Sequence, residues 1–175
     1  MSKRVPATLA CAVLIASALS ACGGSSKAPG VQTAPSGGQT SATATTAKVP
    51  PALSKKPTIT VPKGPAPSHL VVKDLIRGSG TAAAANRTVT VNYVGALYST
   101  GKEFDSSWSR SQPFTTPLSA GSVIPGWVQG IQGMKVGGRR ELIIPPALAY
   151  GKSGSPPTIP PNSTLVFVVD LLSVS

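Results

Sequence analysis

Apolar and polar residues alternate with period two over Thr88–Gly95 (TVTVNYVG), with Val89, Val91 and Tyr93 on one side and Thr88, Thr90 and Asn92 on the other. Such alternation predicts a half-buried β-strand, because successive side chains of a strand point to opposite faces. A turn at Thr100-Gly101 and the short run KEFDSS follow, so residues 88–106 form a predicted hairpin. Upstream, HLVVKDLIRGSG predicts an apolar strand closed by Gly78 and Gly80; downstream, RRELIIP predicts another after the Gly137-Gly138 turn. The last strand, STLVFVVDLLSV, sets Leu165, Phe167, Val169 and Leu171 against Val166, Val168 and Asp170. In VIPGWVQGIQG the period changes. Ile124, Trp127, Val128 and Ile131 recur at i, i+3, i+4 and i+7, one face of a short helix with Pro125 in its first turn. Gly126 and Gly130 each weaken a free helix by about 1 kcal/mol relative to Ala, so this one survives only if a sheet wraps it. About five antiparallel strands and one helix make an α+β domain.

Ahead of Ser68 neither period is present. Lys3 and Arg4 precede ATLACAVLIASALS, an apolar stretch of 14 residues, too short to span a bilayer comfortably. It ends in LSAC, Leu19–Cys22; small residues before a cysteine resemble the bacterial lipobox, in which the cysteine receives lipid and becomes the new N-terminus. Residues 1–21 are accordingly expected to be a lipoprotein signal peptide and Cys22 the lipidated residue; a plain signal peptide cut after Ala21, or an uncleaved anchor, is the alternative. Cys11 leaves with the signal, so no disulfide forms within the domain and packing alone must hold an exported fold. Residues 22–67 are Gly, Ser, Thr, Ala and Pro with few large apolar side chains, and are expected to be a disordered spacer. The folded domain is expected over residues 68–175, long enough for one modest core.

The net charge of +11 says little about nucleic acid, because the first 67 residues carry positive charge only. Residues 68–175 hold nine Lys/Arg against five acids, without the aromatic–basic interleaving of single-strand binders. The lysines of the spacer either graze an anionic surface or are simply solvated. His69 is the one histidine, and no GxSxG, P-loop or metal-ligand cluster is present in the sequence. Gly126, Gly130 and Gly133 follow a GxxxGxxG spacing, which is not a dinucleotide pattern. Glu103 and Asp105 flank Phe104 on one face of a strand, which fits one solvated and one hydrogen-bonded acid better than an acid/base pair. Covalent, hydrolytic and redox chemistry are therefore disfavoured, and no metal or other cofactor is expected. What remains is a set of aromatics: Tyr93, Phe104, Phe114, Trp127, Tyr150 and Phe167, six of the chain's eight.

The blocks VNYVG, GKEFDSS, PFTTPLSAGSVIPGWVQGIQGMKVGGRRELIIPPALAYG and IPPNSTLVFVVDLL, in this order, resemble the FKBP-type peptidyl-prolyl cis-trans isomerases over nearly all of residues 68–175. The resemblance implies a twisted five-stranded antiparallel sheet wrapped around one short helix, in agreement with the period count. It also implies non-covalent rotation of Xaa-Pro bonds in a hydrophobic pocket. Trp127 would floor that pocket, with Tyr93, Phe104, Asp105, Phe114, Val123, Ile124, Tyr150, Ile159 and Phe167 as walls. By the same resemblance the Ile124 N–H and the Tyr150 hydroxyl donate to substrate carbonyls, and Asp105 accepts from Tyr93 near the rotating amide. Plain core packing is the alternative for Trp127, Phe104 and Phe167, and a strand-end cap the alternative for Asp105. Thr116, Ser122, Ser155 and Thr158 depart from the commoner family residues, which puts substrate preference and macrolide affinity in question. The expected partners are Pro-containing polypeptides, macrolide inhibitors and, through the lipid, a membrane facing away from the cytoplasm. The expected state is a monomer assisting the folding of exported proteins. A module that binds Pro-peptides with little turnover, or a structural lipoprotein, stays open on the residues alone.

Overall fold

The strand at Thr88–Leu97 (β2) organises the fold because every one of its positions has a strand on one or both sides. The computed structural model describes residues 50–175; the expected signal, Cys22 and the spacer up to residue 49 lie outside the described residues. The remaining strands are β1 (Val71–Ile76), β3 (Glu103–Ser106), β4 (Phe114–Pro117), β5 (Arg139–Ile144) and β6 (Leu165–Val174), with one helix, α1 (Pro125–Ile131). All pairings are antiparallel, in the order β1-β5-β6-β2-β3, and β4 also pairs with β2. β4 lies along Thr88–Val91 and β3 along Val94–Ala96, so the two share one edge of the long strand. Six strands thus stand where the sequence predicts about five. The excursion between them, a 3-10 turn at Trp108–Arg110 followed by Ser111 in the left-handed region (φ 51), splits the edge. FTTP carries no alternating apolar signal, which is why β4 escapes a period count.

Inward-facing Val89, Val91, Tyr93 and Leu97 of β2, Leu142 and Ile144 of β5, and Leu165, Phe167, Val169 and Leu171 of β6 form one core with Trp127 and Ile131 of α1. The helix meets the sheet along Gly126, Trp127, Gly130 and Ile131. The expected face is therefore rotated: Ile124 is the N-cap and Val128 is only half-buried. The glycines are the reason. A Cβ on Gly126 would lie 2.4 Å from Ile144 Cγ2, and one on Gly130 would lie 2.6 Å from Leu142 Cδ2. Losing two side chains lets the helix backbone rest on the sheet.

The outer face of the sheet is buried too. Val94, Ala96, Ile143, Val166 and Val168 are at most 5% exposed yet lie outside the main core. Val94 and Ala96 share a depression with Lys56, Pro57 and Ile59, which the sequence assigns to a disordered spacer, so that expectation does not hold for this part of residues 50–67. Pro51–Ser54 form a 3-10 turn that buries Leu53 to 1% exposure, and Pro57 is buried as well. Composition misses this because two buried side chains in a Pro/Ser/Thr segment carry no periodic signal. Asp170, wholly buried on the same face, takes a two-pronged ion pair from Arg139 (2.6 and 2.7 Å), whose guanidinium also donates to the Lys55 carbonyl at 2.9 Å. Burial pushes the Asp170 carboxyl up, and Arg139 opposes the rise.

Ala favours a helix by about 1 kcal/mol over Gly, but overpacking a core costs about 1–3 kcal/mol. Gly126→Ala is expected to lower Tm, measured by circular dichroism, because the added methyl meets Ile144; an unchanged or raised Tm would contradict the close approach.

Candidate active site

The inner face of the sheet is concave over the N-terminal end of α1, and a cavity of about 300 Å³ opens there. Its lining comes from six places in the chain: Tyr93 on β2, Phe104 and Asp105 on β3, Phe114 on β4, Ser122–Ile124 and Trp127 at the start of α1, Tyr150 in the loop after β5, and Phe167 on β6. Trp127, 4% exposed, is held flat by rings that stand on edge around it. Tyr93 lies 5.2 Å from it at 82°, Phe167 5.4 Å at 85°, and Phe114 6.2 Å at 73°. Phe104 in turn stands on Phe167 at 5.5 Å and 89°. Perpendicular contacts suit the ring quadrupoles and make a floor with upright walls rather than a closed stack. Gly95 permits this, since a Cβ there would lie 2.7 Å from Phe167 and 2.8 Å from Phe104. The indole N–H is buried and has no acceptor among the described residues.

The polar side of the cavity is a three-residue network. The Tyr93 hydroxyl donates to Asp105 Oδ2. Arg110 donates to Asp105 Oδ1 at 2.5 Å and to the Tyr93 oxygen at 2.7 Å, and the Ser106 backbone N–H donates to Asp105 Oδ1 at 2.8 Å. Burial pushes the Asp105 carboxyl up, but the bonds from Tyr93 and Arg110 outweigh it and hold the carboxyl below its ordinary value. Asp105 is thus an ionised acceptor, not an acid catalyst, at neutral pH. Tyr93 moves the other way: burial, then its bond to Asp105, push the phenol up to about 12. Tyr150, 40% exposed at the rim, is raised by burial and by the Asp105 charge. No group of three or more His, Cys, Asp or Glu capable of holding a metal occurs among the described residues.

The expected site residues meet here, with one exception. Ile159 is not in the lining; it is 5% exposed and packs into the core, in a loop closed by mutual backbone bonds with Ser155 (2.8 and 2.9 Å). Ser122 lines the cavity, with its hydroxyl 3.0 Å from that of Ser119. Arg110 went unrecognised in the sequence. Its signal is faint: it is the lone charge in SSWSRSQ, and only the excursion between β3 and β4 folds it back onto Asp105.

A family model described as FKBP-type peptidyl-prolyl cis-trans isomerase matches residues 79–172. The chain belongs to this family. It is 54% identical over 121 residues to an FK506-binding protein of Streptomyces anulatus, covering 69% of this chain and 98% of the relative. It is 51% identical over 119 residues to a probable FK506-binding protein of Corynebacterium glutamicum, covering 68% and 98%. Among solved structures, FkpA from Escherichia coli aligns with a TM-score of 0.57 and 44% identity, covering 71% of this chain and 55% of that one. AtFKBP13 aligns with a TM-score of 0.58 and 39% identity, covering 63% and 96%. The chain is thus a prolyl isomerase with the antiparallel sheet and single helix of that family. In a chain that ends at Ser175, a match of 121 residues begins no later than Lys55. The likeness to the Streptomyces protein therefore takes in part of the segment covering the outer sheet face.

A phenol held at about 12 in the folded isomerase, against 10.0 for a free tyrosine, is protonated in both states below pH 10. Its stabilisation is complete there and is lost as pH rises through about 12. In an alkaline titration followed by phenolate absorbance, the difference between wild type and Tyr93→Phe is expected to emerge only near that upper value; a difference already complete by pH 10 would show that the network does not form.

Proposed function

We propose that this isomerase accelerates Xaa-Pro rotation by holding the half-rotated amide over Trp127, and that it serves exported proteins from a lipid anchor on Cys22. The observation that carries the mechanism is the ring-walled cavity over the indole, with an ionised, fully hydrogen-bonded carboxylate at its side. An Xaa-Pro amide rotates slowly because its C–N bond has partial double-bond character, with a barrier of about 18–20 kcal/mol. Twisting removes the resonance, reduces the charge separation and makes the nitrogen pyramidal. Water favours the planar, more polar amide; a dry aromatic cavity favours the twisted one. Binding that is stronger at the barrier than in the ground state is sufficient for catalysis and requires no nucleophile.

In this reading the prolyl ring rests on Trp127 between Tyr93, Phe114 and Phe167. Ile124 accepts from the Trp127 and Val128 N–H groups through its carbonyl (2.9 and 3.3 Å), and its own N–H, at the helix N-cap, donates to a substrate carbonyl. Tyr150, at the rim, donates to a second carbonyl. Asp105, set by Tyr93 and Arg110, presents its negative charge to the rotating carbonyl carbon. A macrolide of the FK506 type would compete for the same cavity, with Ser122 at its edge modulating affinity. The basic and apolar leader ending in LSAC supports export and lipidation; the enzyme then acts as a monomer on the outer side of a membrane.

Trp127→Leu and Asp105→Asn are each expected to lower kcat/KM about tenfold or more, equivalent to ~1.4 kcal/mol of lost preference for the twisted state. Protease-coupled or NMR exchange assays with Leu-Pro and Ala-Pro peptides measure this. Wild-type turnover in folded Trp127→Leu would end the cavity mechanism. Separately, the protein made in a bacterial host should partition into the detergent phase and Cys22→Ser into the aqueous phase; aqueous wild type would remove the anchor.

A further inference from the structure

Phe104 and Asp105 sit on a thinly supported strand. β3 is four residues long and pairs with β2 at three positions, with a register break between Gly95 and Ala96. It ends the strand order, so β2 is its one neighbour in the sheet. Support comes instead from behind. Lys56 Nζ meets the Glu103 carboxylate at 2.8 Å, one residue from Phe104. Buried Pro57, with Lys56 and Ile59, faces Val94 and Ala96 of β2 and Glu103 of β3 across a shallow depression. Leu53 is 1% exposed, and the Lys55 carbonyl is tied to Arg139. Val94 and Ala96 alternate with Tyr93 and Gly95, so this segment backs β2 on the face opposite the cavity.

We propose that residues 51–59 are a positioning strap of the active site: seated on the outer sheet face, they keep β2 and β3 in the register that brings Asp105 to Tyr93 and Phe104 to Phe167. The proposal rests on the reading of Phe104 and Asp105 as working parts of the cavity. It separates two roles for the segment before the domain. Residues 51–59 belong to the catalytic unit, and only the chain ahead of them connects it to Cys22. The Lys56–Glu103 pair is 44% and 40% exposed and contributes little alone, so the buried Leu53 and Pro57 carry most of the effect.

The test uses the full chain, at a temperature where circular dichroism shows each variant folded. Leu53→Asp is expected to lower kcat about tenfold at nearly constant KM, and to bring the Tyr93 titration down from about 12. Met134→Ala is the matched core lesion: Met134 is 2% exposed and lines no part of the aromatic cavity, so its variant should lose Tm but keep kcat and the Tyr93 titration. Wild-type kcat in folded Leu53→Asp, or an equal loss in Met134→Ala, would overturn the proposal. If Leu53→Asp does not fold, the charge pair decides. Lys56→Glu should cost about two- to threefold, and adding Glu103→Lys should restore it; no loss, or no recovery, counts against the strap. Failure of the underlying reading looks different: Asp105→Asn would itself be silent.

Discussion

The distance between one short helix and the sheet beneath it sets the rest of this structure. Gly126 and Gly130 place helical backbone where side chains would ordinarily stand, against Ile144 and Leu142. Trp127, between those two glycines, floors the cavity, with Tyr93, Phe114 and Phe167 edge-on around it. Two residues unfavourable to an isolated helix thus become the condition for the cavity. Local propensity yields to packing here, as expected where a site needs a geometry that propensity alone does not supply.

The cavity's chemistry follows from its aromatic walls and one well-held charge. An ionised carboxylate in an apolar cleft is costly unless its oxygens are hydrogen-bonded. Asp105 meets that requirement with donors from Tyr93, Arg110 and the Ser106 backbone, and the same bonds keep it from protonating. Tyr93 is both ring wall and donor, so the apolar and polar halves of the site are joined through one residue. Arg110 adds a cation 5.7 Å from the Tyr93 ring centroid. Nothing in this arrangement attacks a bond. It presents a low-polarity space with a fixed dipole, which fits a reaction whose only event is rotation.

The sheet is sandwiched rather than one-sided. Asp170, on the outer face, is wholly buried, and Arg139 meets it there. Removing one member of such a pair strands the other, at a cost of about 3–5 kcal/mol. Because Arg139 also binds the Lys55 carbonyl, the ion pair, the strap and the outer apolar patch form one unit behind the cavity wall.

Much of this was legible in the sequence. Period-two alternation located the strands at Thr88–Leu97 and Leu165–Val174, and the Ile124–Ile131 spacing located the helix, because burial on one face leaves a periodic trace. The resemblance of the blocks from VNYVG through FDSS, PFTTP, VIPGW and AYG to IPPNSTLVFVVDLL to one family pointed to nine of the ten residues that line the cavity. Three things were decided only in tertiary structure. Ile159 turned into the core because its loop closes on Ser155. Arg110 became a partner of Asp105 because an irregular excursion, which has no period, folds it back. Part of residues 50–67 left the spacer and joined the domain, with Leu53 and Pro57 buried; two apolar side chains in a Pro-rich run are too few to leave a periodic signal. Sequence alone determined which residues are apolar, and with what repeat; which side of an element faces a neighbour, and which distant segment supplies that neighbour, depend on contacts between residues far apart in the chain.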